Sequence, residues 1–354
     1  MPGGGKVTEQ EYLKKAKKCA ALGDLAESMR AYRAAAEEWN SADAQYELGD
    51  CYYFGVGVEQ NLEEAVKWYT KSAEQGNASA QTNLGDAYTF GEGVDADRAE
   101  AVRWYLKAAK QGDARAQYAL GDCYYFGGGI EQNLEEAVKW YTESAKQGNA
   151  DAQEALGTAY YLGEGVREDK AEAVRWCWEA AKQGNARAQY KLGNCYQKGT
   201  GIEKNEVEAV KWYCMAAEQG DANAQFDLGN ACFFGDGAEK NEEEGVRWYL
   251  KSAEQGYAWA QGMLGICYRL GKGVAKNEAE AVKWYLKAAV QGNPCAMHDL
   301  GYCYDKGIGV EQNKTIALMW YQEAKKLGNE EALWAVGLKM MERLAEMGTF
   351  GLEK

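Results

Sequence analysis

The sequence predicts an all-α fold, a solenoid of eight 36-residue helix-turn-helix repeats with a helical cap at each end. Three observations predict it. The segment Ala44-Gln45-Tyr46-Glu47-Leu48-Gly49 recurs with variation from Ala80, Ala116, Ala152, Ala188, Ala224, Ala260 and Ala296, always in steps of 36 residues. A tryptophan keeps the same period, at Trp68, Trp104, Trp140, Trp176, Trp212, Trp248, Trp284 and Trp320. A Gly-x-Gly also recurs once per period, first at Gly55 and Gly57. Units of this size cannot bury an apolar face alone, so they must stack on their neighbours.

The elements follow in chain order. Residues 1–7 carry three consecutive glycines and no apolar core of a leader peptide, and are expected to be disordered. Residues 8–43 form a capping pair, Tyr12–Leu22 and Leu25–Trp39, broken at Gly23-Asp24. Residues 44–331 hold the eight repeats. In each, Ala44, Leu48, Gly49 and Tyr52 or their equivalents share one face of a helix A. Helix A stops at Gly55, which can take the left-handed conformation that closes a helix. Asn61 and Glu64 have the spacing of a reciprocal capping box, which opens helix B at Glu64-Ala65-Val66-Lys67-Trp68-Tyr69. Seven of the eight repeats keep that pair, and the eighth has Asn313 with Ile316. Gly76 ends helix B and Asn77 can cap the next helix A. Gly49 and its counterparts lie inside helix A, where glycine costs about 1 kcal/mol against alanine, so a close approach of helix B is expected there. Residues 332–354 hold a closing helix, read as Glu330 to Met347, and a tail.

Repeats one and three are nearly identical, and repeats two and four share Val-Arg-Trp, as growth by 72-residue pairs would leave them. The last three drift most. They place Trp259, Ile266, Met297, His298 and Tyr302 where other repeats have polar or smaller residues.

Composition excludes several partners. The 354 residues carry 54 acidic against 40 basic side chains, a net charge of −14, and the basic residues alternate with glutamates. Nucleic acids and anionic membrane surfaces are therefore not expected partners. No apolar run reaches the roughly 20 residues of a membrane span. A cytoplasmic, monomeric protein is expected.

The pattern Ala-x-x-x-Leu-Gly-x-x-Tyr-x-x-Gly-x-Gly-Val, followed by Glu-Ala-Val-x-Trp-Tyr-x-x-Ala-Ala-x-Gln-Gly-Asn, resembles the Sel-one-like repeat family, a branch of the tetratricopeptide-like superhelices. The resemblance covers about four fifths of the chain. It implies a right-handed superhelix that binds proteins as an adaptor, in bacterial signalling, envelope or host-interaction settings or in eukaryotic protein quality control. The N-terminal pair resembles a plain tetratricopeptide unit. A secreted, cysteine-rich branch joins helix B to the next helix A by disulfides at positions that hold Ala73 and Ala80 here, so those bridges are not implied.

No motif points to catalysis. The Gly-x-Gly loops follow helices, whereas phosphate-binding glycine loops follow strands. Cys51, Cys123, Cys195, Cys267 and Cys303 share a position that alanine fills elsewhere, which marks a small apolar slot, and no Cys-x-x-Cys pair exists. Cys295 falls on the expected ligand face. The single histidine, His298, cannot build a histidine metal site, and no Gly-x-Ser-x-Gly surrounds it. No cofactor, metal or enzymatic activity is expected. The helix B tryptophans, beside Val66-type residues, read as core, with Tyr69 and its equivalents partly exposed at an outer rim.

The positions that vary among repeats are the candidates for binding. In tetratricopeptide-like arrays the A helices line the concave groove, and that resemblance leaves one stripe pointing into it. In the first repeat the stripe comprises Asp43, Tyr46, Asp50 and Tyr53. Further along it comprises Tyr118, Asp122 and Tyr125, then Glu154 and Tyr161, then Tyr190, Asn194 and Gln197. It continues with Asn223, Phe226, Asn230 and Phe233, with Trp259, Ile266 and Arg269, and with His298, Tyr302 and Asp305. Aromatic area beside hydrogen-bonding groups is an interface composition. The expected ligand is a protein or an extended peptide, basic toward the N-terminal half and apolar-anchored toward the C-terminal half. The alternatives are a structural or oligomerisation module and, last, an enzyme.

Overall fold

In a computed structural model residues 8–327 are described, and the predicted residues 1–7 and the closing helix at 330–347 lie outside them. The helices of the repeats start and stop on chemistry the repeat supplies, except that Tyr257 makes no side-chain cap bond to the helix it precedes. Ser41, Asn77, Asp113 and Asn149 cap successive A helices, each side chain accepting from the backbone N–H three residues on. Gly55 closes the first of them at φ 71°, in the left-handed region.

The chain divides into two units, residues 1–180 and 181–354. The first contains α1 (Glu9–Ala21), α2 (Leu25–Glu38), α3 (Ala42–Phe54), α4 (Leu62–Glu74), α5 (Ala78–Phe90), α6 (Arg98–Lys110), α7 (Ala114–Phe126), α8 (Leu134–Lys146), α9 (Ala150–Leu162) and most of α10 (Lys170–Lys182). The second contains α11 (Ala186–Lys198), α12 (Glu206–Glu218), α13 (Ala222–Phe234), α14 (Glu242–Glu254), α15 (Ala258–Leu270), α16 (Glu278–Val290), α17 (Pro294–Lys306) and α18 (Lys314–Leu327). Among the described residues there is no strand. Within each unit every helix packs on the helices before and after it in sequence, so helices A and B alternate through a stack.

Three repeat-wide devices hold the stack. The first is the helix A glycine. A Cβ built on Gly121 would lie 2.5 Å from Cδ1 of Tyr141, and Gly49, Gly85, Gly193, Gly229 and Gly265 meet the equivalent tyrosine in the same way. The close approach expected from the sequence is present, and its partner is the ring of a helix B tyrosine. In the fourth repeat Cys177 replaces that tyrosine, and Gly157 faces its sulfur and the backbone of Ala173.

The second device is the second glycine of Gly-x-Gly. Gly93 has φ 73°, and a Cβ there would fall 2.2 Å from the carbonyl oxygen of Leu62, the first residue of the preceding helix B. Gly57 sits against Leu25 in the same way, so α2 serves the first repeat as a helix B would.

The third was missed in the sequence. Gln81 is buried and donates to the carbonyl of Ala73 in the preceding helix B at 2.9 Å, while its own oxygen accepts from Gln111 at 2.8 Å. Gln117, Gln189, Gln225 and Gln261 take the equivalent bonds from Gln147, Gln219, Gln255 and Gln291. These are buried amides with both ends used, which low polarity makes strong.

Two expectations need correction. The capping box is half formed: Asn61 accepts from the N–H of Glu64, but its own N–H donates to the carbonyl of Tyr52 at 2.9 Å. Glu64 is therefore released to Lys67, at 2.6 Å. A reciprocal box forms instead at the head of α1, between Thr8 and Glu11. The placing of the helix B tyrosines at an outer rim is also overturned. Tyr69, Tyr105, Tyr141, Tyr213, Tyr249 and Tyr285 are buried, because each fills the space over a glycine. Of the described tryptophans, Trp68, Trp104 and Trp284 are buried in the core, and the ammonium groups of Lys71, Lys107 and Lys287 lie over their rings at 3.7–4.0 Å.

Candidate functional site

The candidate stripe is built on the exposed turns of the A helices, and the structure divides its residues into three groups. The first has an internal task. Asp50 accepts from the hydroxyl of Tyr69 at 2.6 Å, and Asp122 accepts from Tyr141 at 2.6 Å. Asn194 and Asn230 accept from Tyr213 and Tyr249 at 3.0 and 2.8 Å. A buried tyrosine hydroxyl needs a partner, and this position supplies it. The pairing explains the later variation. Ile266 fills the position in the seventh repeat, and Arg269 takes over by donating from Nε to Tyr285 at 3.1 Å. Thr158 fills it in the fourth repeat, where the tyrosine has become Cys177, and it turns to the carbonyl of Glu154.

The second group is buried. Phe233 is 0% exposed, packed against Phe234 and Tyr249, and Phe226 packs against Tyr249 and Tyr257. Ile266 is buried in the same cluster. The apolar drift of the C-terminal repeats therefore enlarges a core, which removes Phe226 and Phe233 from the candidate face. Pattern alone could not separate them from Tyr53 and Tyr125, because all four occupy stripe positions and only packing distinguishes them.

The third group remains at the surface. In the first unit Tyr46 and Tyr118 lie half-buried over Tyr69 and Tyr141, with ring centres 6.2 and 5.9 Å apart. Tyr53 donates to Glu92 of the next loop at 2.8 Å, and Tyr125 donates to Glu164 at 2.5 Å. These hydrogen bonds, with burial and the neighbouring charge, raise both phenols, Tyr125 to about 12. Lys170 sits 3.9 Å over the ring of Tyr161 and donates to its carbonyl. In the second unit Tyr190 packs on Tyr213. Trp259 is half-buried, the Arg269 guanidinium lies 5.9 Å from the ring of Tyr302, and His298 is exposed beside Tyr321.

One set of surface residues was not recognised in the sequence. The last residue of helix A, next to the stripe, is Phe54, Phe90, Phe126 or Leu162 in the four repeats of the first unit, and these are 67%, 71%, 74% and 52% exposed. The signal was legible as an apolar residue directly before each Gly-x-Gly. The helical period hides it, since it falls one residue past the stripe.

Two partly buried carboxyls stand out electrically. Desolvation raises Asp86, against hydrogen bonding to Tyr105 and the charge of Arg115, whose guanidinium lies 2.8 Å away. Desolvation raises Asp227 to about 6, although Tyr190 and Asn230 bond to it. Burial pushes the thiols of Cys51, Cys123 and Cys295 up to about 11. No helix among the described residues is long and apolar enough to cross a membrane.

Comparison with known proteins agrees with this architecture. The Sel1 repeat family pattern matches residues 42–77, 78–113, 114–149, 150–185, 186–221, 222–257, 260–293 and 296–329. The crystal structure of a protective antigen present in uropathogenic Escherichia coli strains, displaying an SLR fold, is 32% identical, with a TM-score of 0.70 over 90% of this chain and 76% of that one. A Sel1 repeat protein from Oxalobacter formigenes is also 32% identical, with a TM-score of 0.63 over 96% of this chain and 98% of that one. A sel1-like repeat-containing protein, L18, of Acanthamoeba polyphaga mimivirus is 53% identical over 32 residues, and this chain spans 9% of its own length and 6% of that relative's in the match. Eight successive family matches on alternating helices make the chain a member of the Sel1 repeat family, whose tetratricopeptide-like solenoids are generally protein-interaction modules.

Proposed function

We propose that the chain is a non-enzymatic scaffold that holds a partner protein or an extended peptide along its A helices. The observation that carries this reading is the row of exposed apolar side chains, Phe54, Phe90, Phe126 and Leu162, at the ends of four successive A helices. Solvent exposure of large apolar groups does nothing for folding, and such groups in register are a feature of interaction surfaces. Tyr46, Tyr53, Tyr118, Tyr125 and Tyr161 add half-buried aromatic area beside it. In the second unit Tyr190, Trp259, Arg269, His298 and Tyr302 are the proposed contacts. Asp50, Asp122, Asn194 and Asn230 act there through the tyrosines they hold.

Affinity capture from a native lysate tests the reading. The full chain should retain a partner that a Phe54/Phe90/Phe126→Ser variant loses by tenfold or more. The Tyr53/Tyr125/Tyr161→Ala variant should show the same direction. Capture unchanged by both variants would contradict the proposal.

A further inference from the structure

Resting on the scaffold reading, we infer that the row Phe54, Phe90, Phe126 and Leu162 docks a basic amphipathic α-helix lying across the four repeats of the first unit. Three features select that occupant.

The first is charge. The four loops that follow these residues, at 55–61, 91–97, 127–133 and 163–169, carry eight carboxylates against one basic residue, Arg167. The corresponding loops of the second unit, at 199–205, 235–241, 271–277 and 307–313, carry four acidic and four basic residues. The apolar row is likewise confined to the first unit, since the equivalent positions in the second are Lys198, Phe234, Leu270 and Lys306, with both phenylalanine and leucine partly buried. Acidic loops and exposed aromatics therefore occur together. They favour a partner with lysine or arginine beside its apolar residues, and they disfavour a second copy of this acidic chain.

The second feature is preorganisation. Two of the carboxylates, Glu92 and Glu164, are half-buried and held by the hydroxyls of Tyr53 and Tyr125 at 2.8 and 2.5 Å. The same two tyrosines meet Phe54 and Phe126 edge-on, with ring centres 4.9 and 4.8 Å apart. Aromatic knob and carboxylate are thus fixed by one side chain, and the arrangement recurs two repeats later. A cation approaching the carboxylate reaches an aromatic ring in the same step.

The third feature is spacing and shape. Successive A helices are separated by a B helix, but Tyr53 of one repeat reaches Glu92 in the loop of the next at 2.8 Å, so knobs one repeat apart stand on the order of 10 Å from each other. Seven residues of an α-helix advance about 10.5 Å and return to nearly the same face. An extended strand advances about 3.3 Å per residue and presents alternate residues, so successive residues on one face fall near 7 or 13 Å and miss the interval. A polyproline helix matches the interval at about 9.3 Å per turn, but it is recognised in slots walled by aromatic rings. Among the described residues no ring contact joins the phenylalanine of one repeat to that of the next, so the rings stand as separate knobs.

Fluorescence anisotropy of the full chain with three labelled 28-residue peptides tests this. One is an alanine-based helix with leucine at every seventh position and lysine on either side of each leucine. The second replaces the lysines by glutamate. The third has the composition of the first but with proline at every third position. The lysine helix should bind at least tenfold more tightly than either of the others. Phe126→Ser and Phe90→Ser should each weaken it about tenfold with unchanged melting, and Phe126→Leu should restore most of the loss. Glu92→Gln with Glu164→Gln keeps the tyrosine bonds, and should weaken binding several-fold at 0.1 M salt but little at 0.5 M. Equal binding of the glutamate helix, or binding insensitive to Phe126→Ser, overturns the inference. Tighter binding of the proline peptide, lost in Phe126→Ser, overturns the helical partner while leaving the scaffold reading intact. Failure of all three peptides overturns the basic helix. The scaffold reading itself fails only if native capture is also insensitive to the phenylalanines.

Discussion

Single side chains decide the energetics of this repeat because the same contact is made many times. Gly121 shows it. Alanine has the better helix propensity by about 1 kcal/mol, but its Cβ would meet Tyr141 at 2.5 Å, and overpacking costs about 1–3 kcal/mol. Gly121→Ala is therefore expected to destabilise, read as a lower urea midpoint at unchanged slope. A midpoint at or above the wild type would show that the ring simply moves aside. Asp227 makes the opposite case. Its folded pKa, about 6, lies above the ordinary 3.8, so the unfolded chain releases the proton first. Its contribution is most favourable below about pH 4 and is lost as pH rises through about 6. Asp227→Asn should then be more stable than wild type at pH 7, by on the order of 2–3 kcal/mol, with the difference closing near pH 4. Equal stabilities in urea at pH 7 would contradict the assignment.

Pairs of side chains connect one element to the next. Gln81 links α5 to α4 and, through Gln111, to the end of α6. Gln81→Leu should cost about 1–2 kcal/mol by removing the buried bond to the Ala73 carbonyl, while the exposed Gln111 amide turns to water. Adding Gln111→Leu should recover part of it, since the eighth repeat already carries Met297 and Leu327 at these two positions. A double-mutant cycle in urea measures that coupling, and strict additivity would refute it. The corrected aromatic order gives a second prediction. Tyr141→Ala should cost about 3–5 kcal/mol and Trp140→Ala distinctly less, because Tyr141 is buried and Trp140 only partly so. Helix starts and stops were legible in the sequence, since asparagine caps and left-handed glycines act through residues within one turn. The capping box misled because the N–H of Asn61 is claimed by Tyr52, nine residues earlier. The Tyr–Trp order misled because both rings recur at 36-residue steps, and period alone does not say which faces a glycine. The glutamine bonds join positions 30 residues apart, beyond any local pattern.

For the molecule as a whole, the division of labour follows from the period. Positions used by the stack are filled alike in repeat after repeat, and positions outside it are free to specialise. The candidate stripe was legible as variable positions, but variation has two causes. In the second unit it reflects a larger core around Phe233 and Met263, and in the first it reflects an exposed edge of phenylalanines. The consequence is a separation of stability from binding. Phe54/Phe90/Phe126→Ser should leave the melting temperature within about a degree or two, because surface substitutions rarely exceed about 0.5 kcal/mol each, and should still abolish partner binding. The most direct test of the scaffold account is hydrogen exchange of the full chain, free and saturated with its captured partner. The account predicts slowed exchange in the C-terminal turns of α3, α5, α7 and α9 and in the loops that follow them, with α4, α6 and α8 unchanged. Protection confined to α4, α6 and α8 would place the partner on the B helices and contradict it.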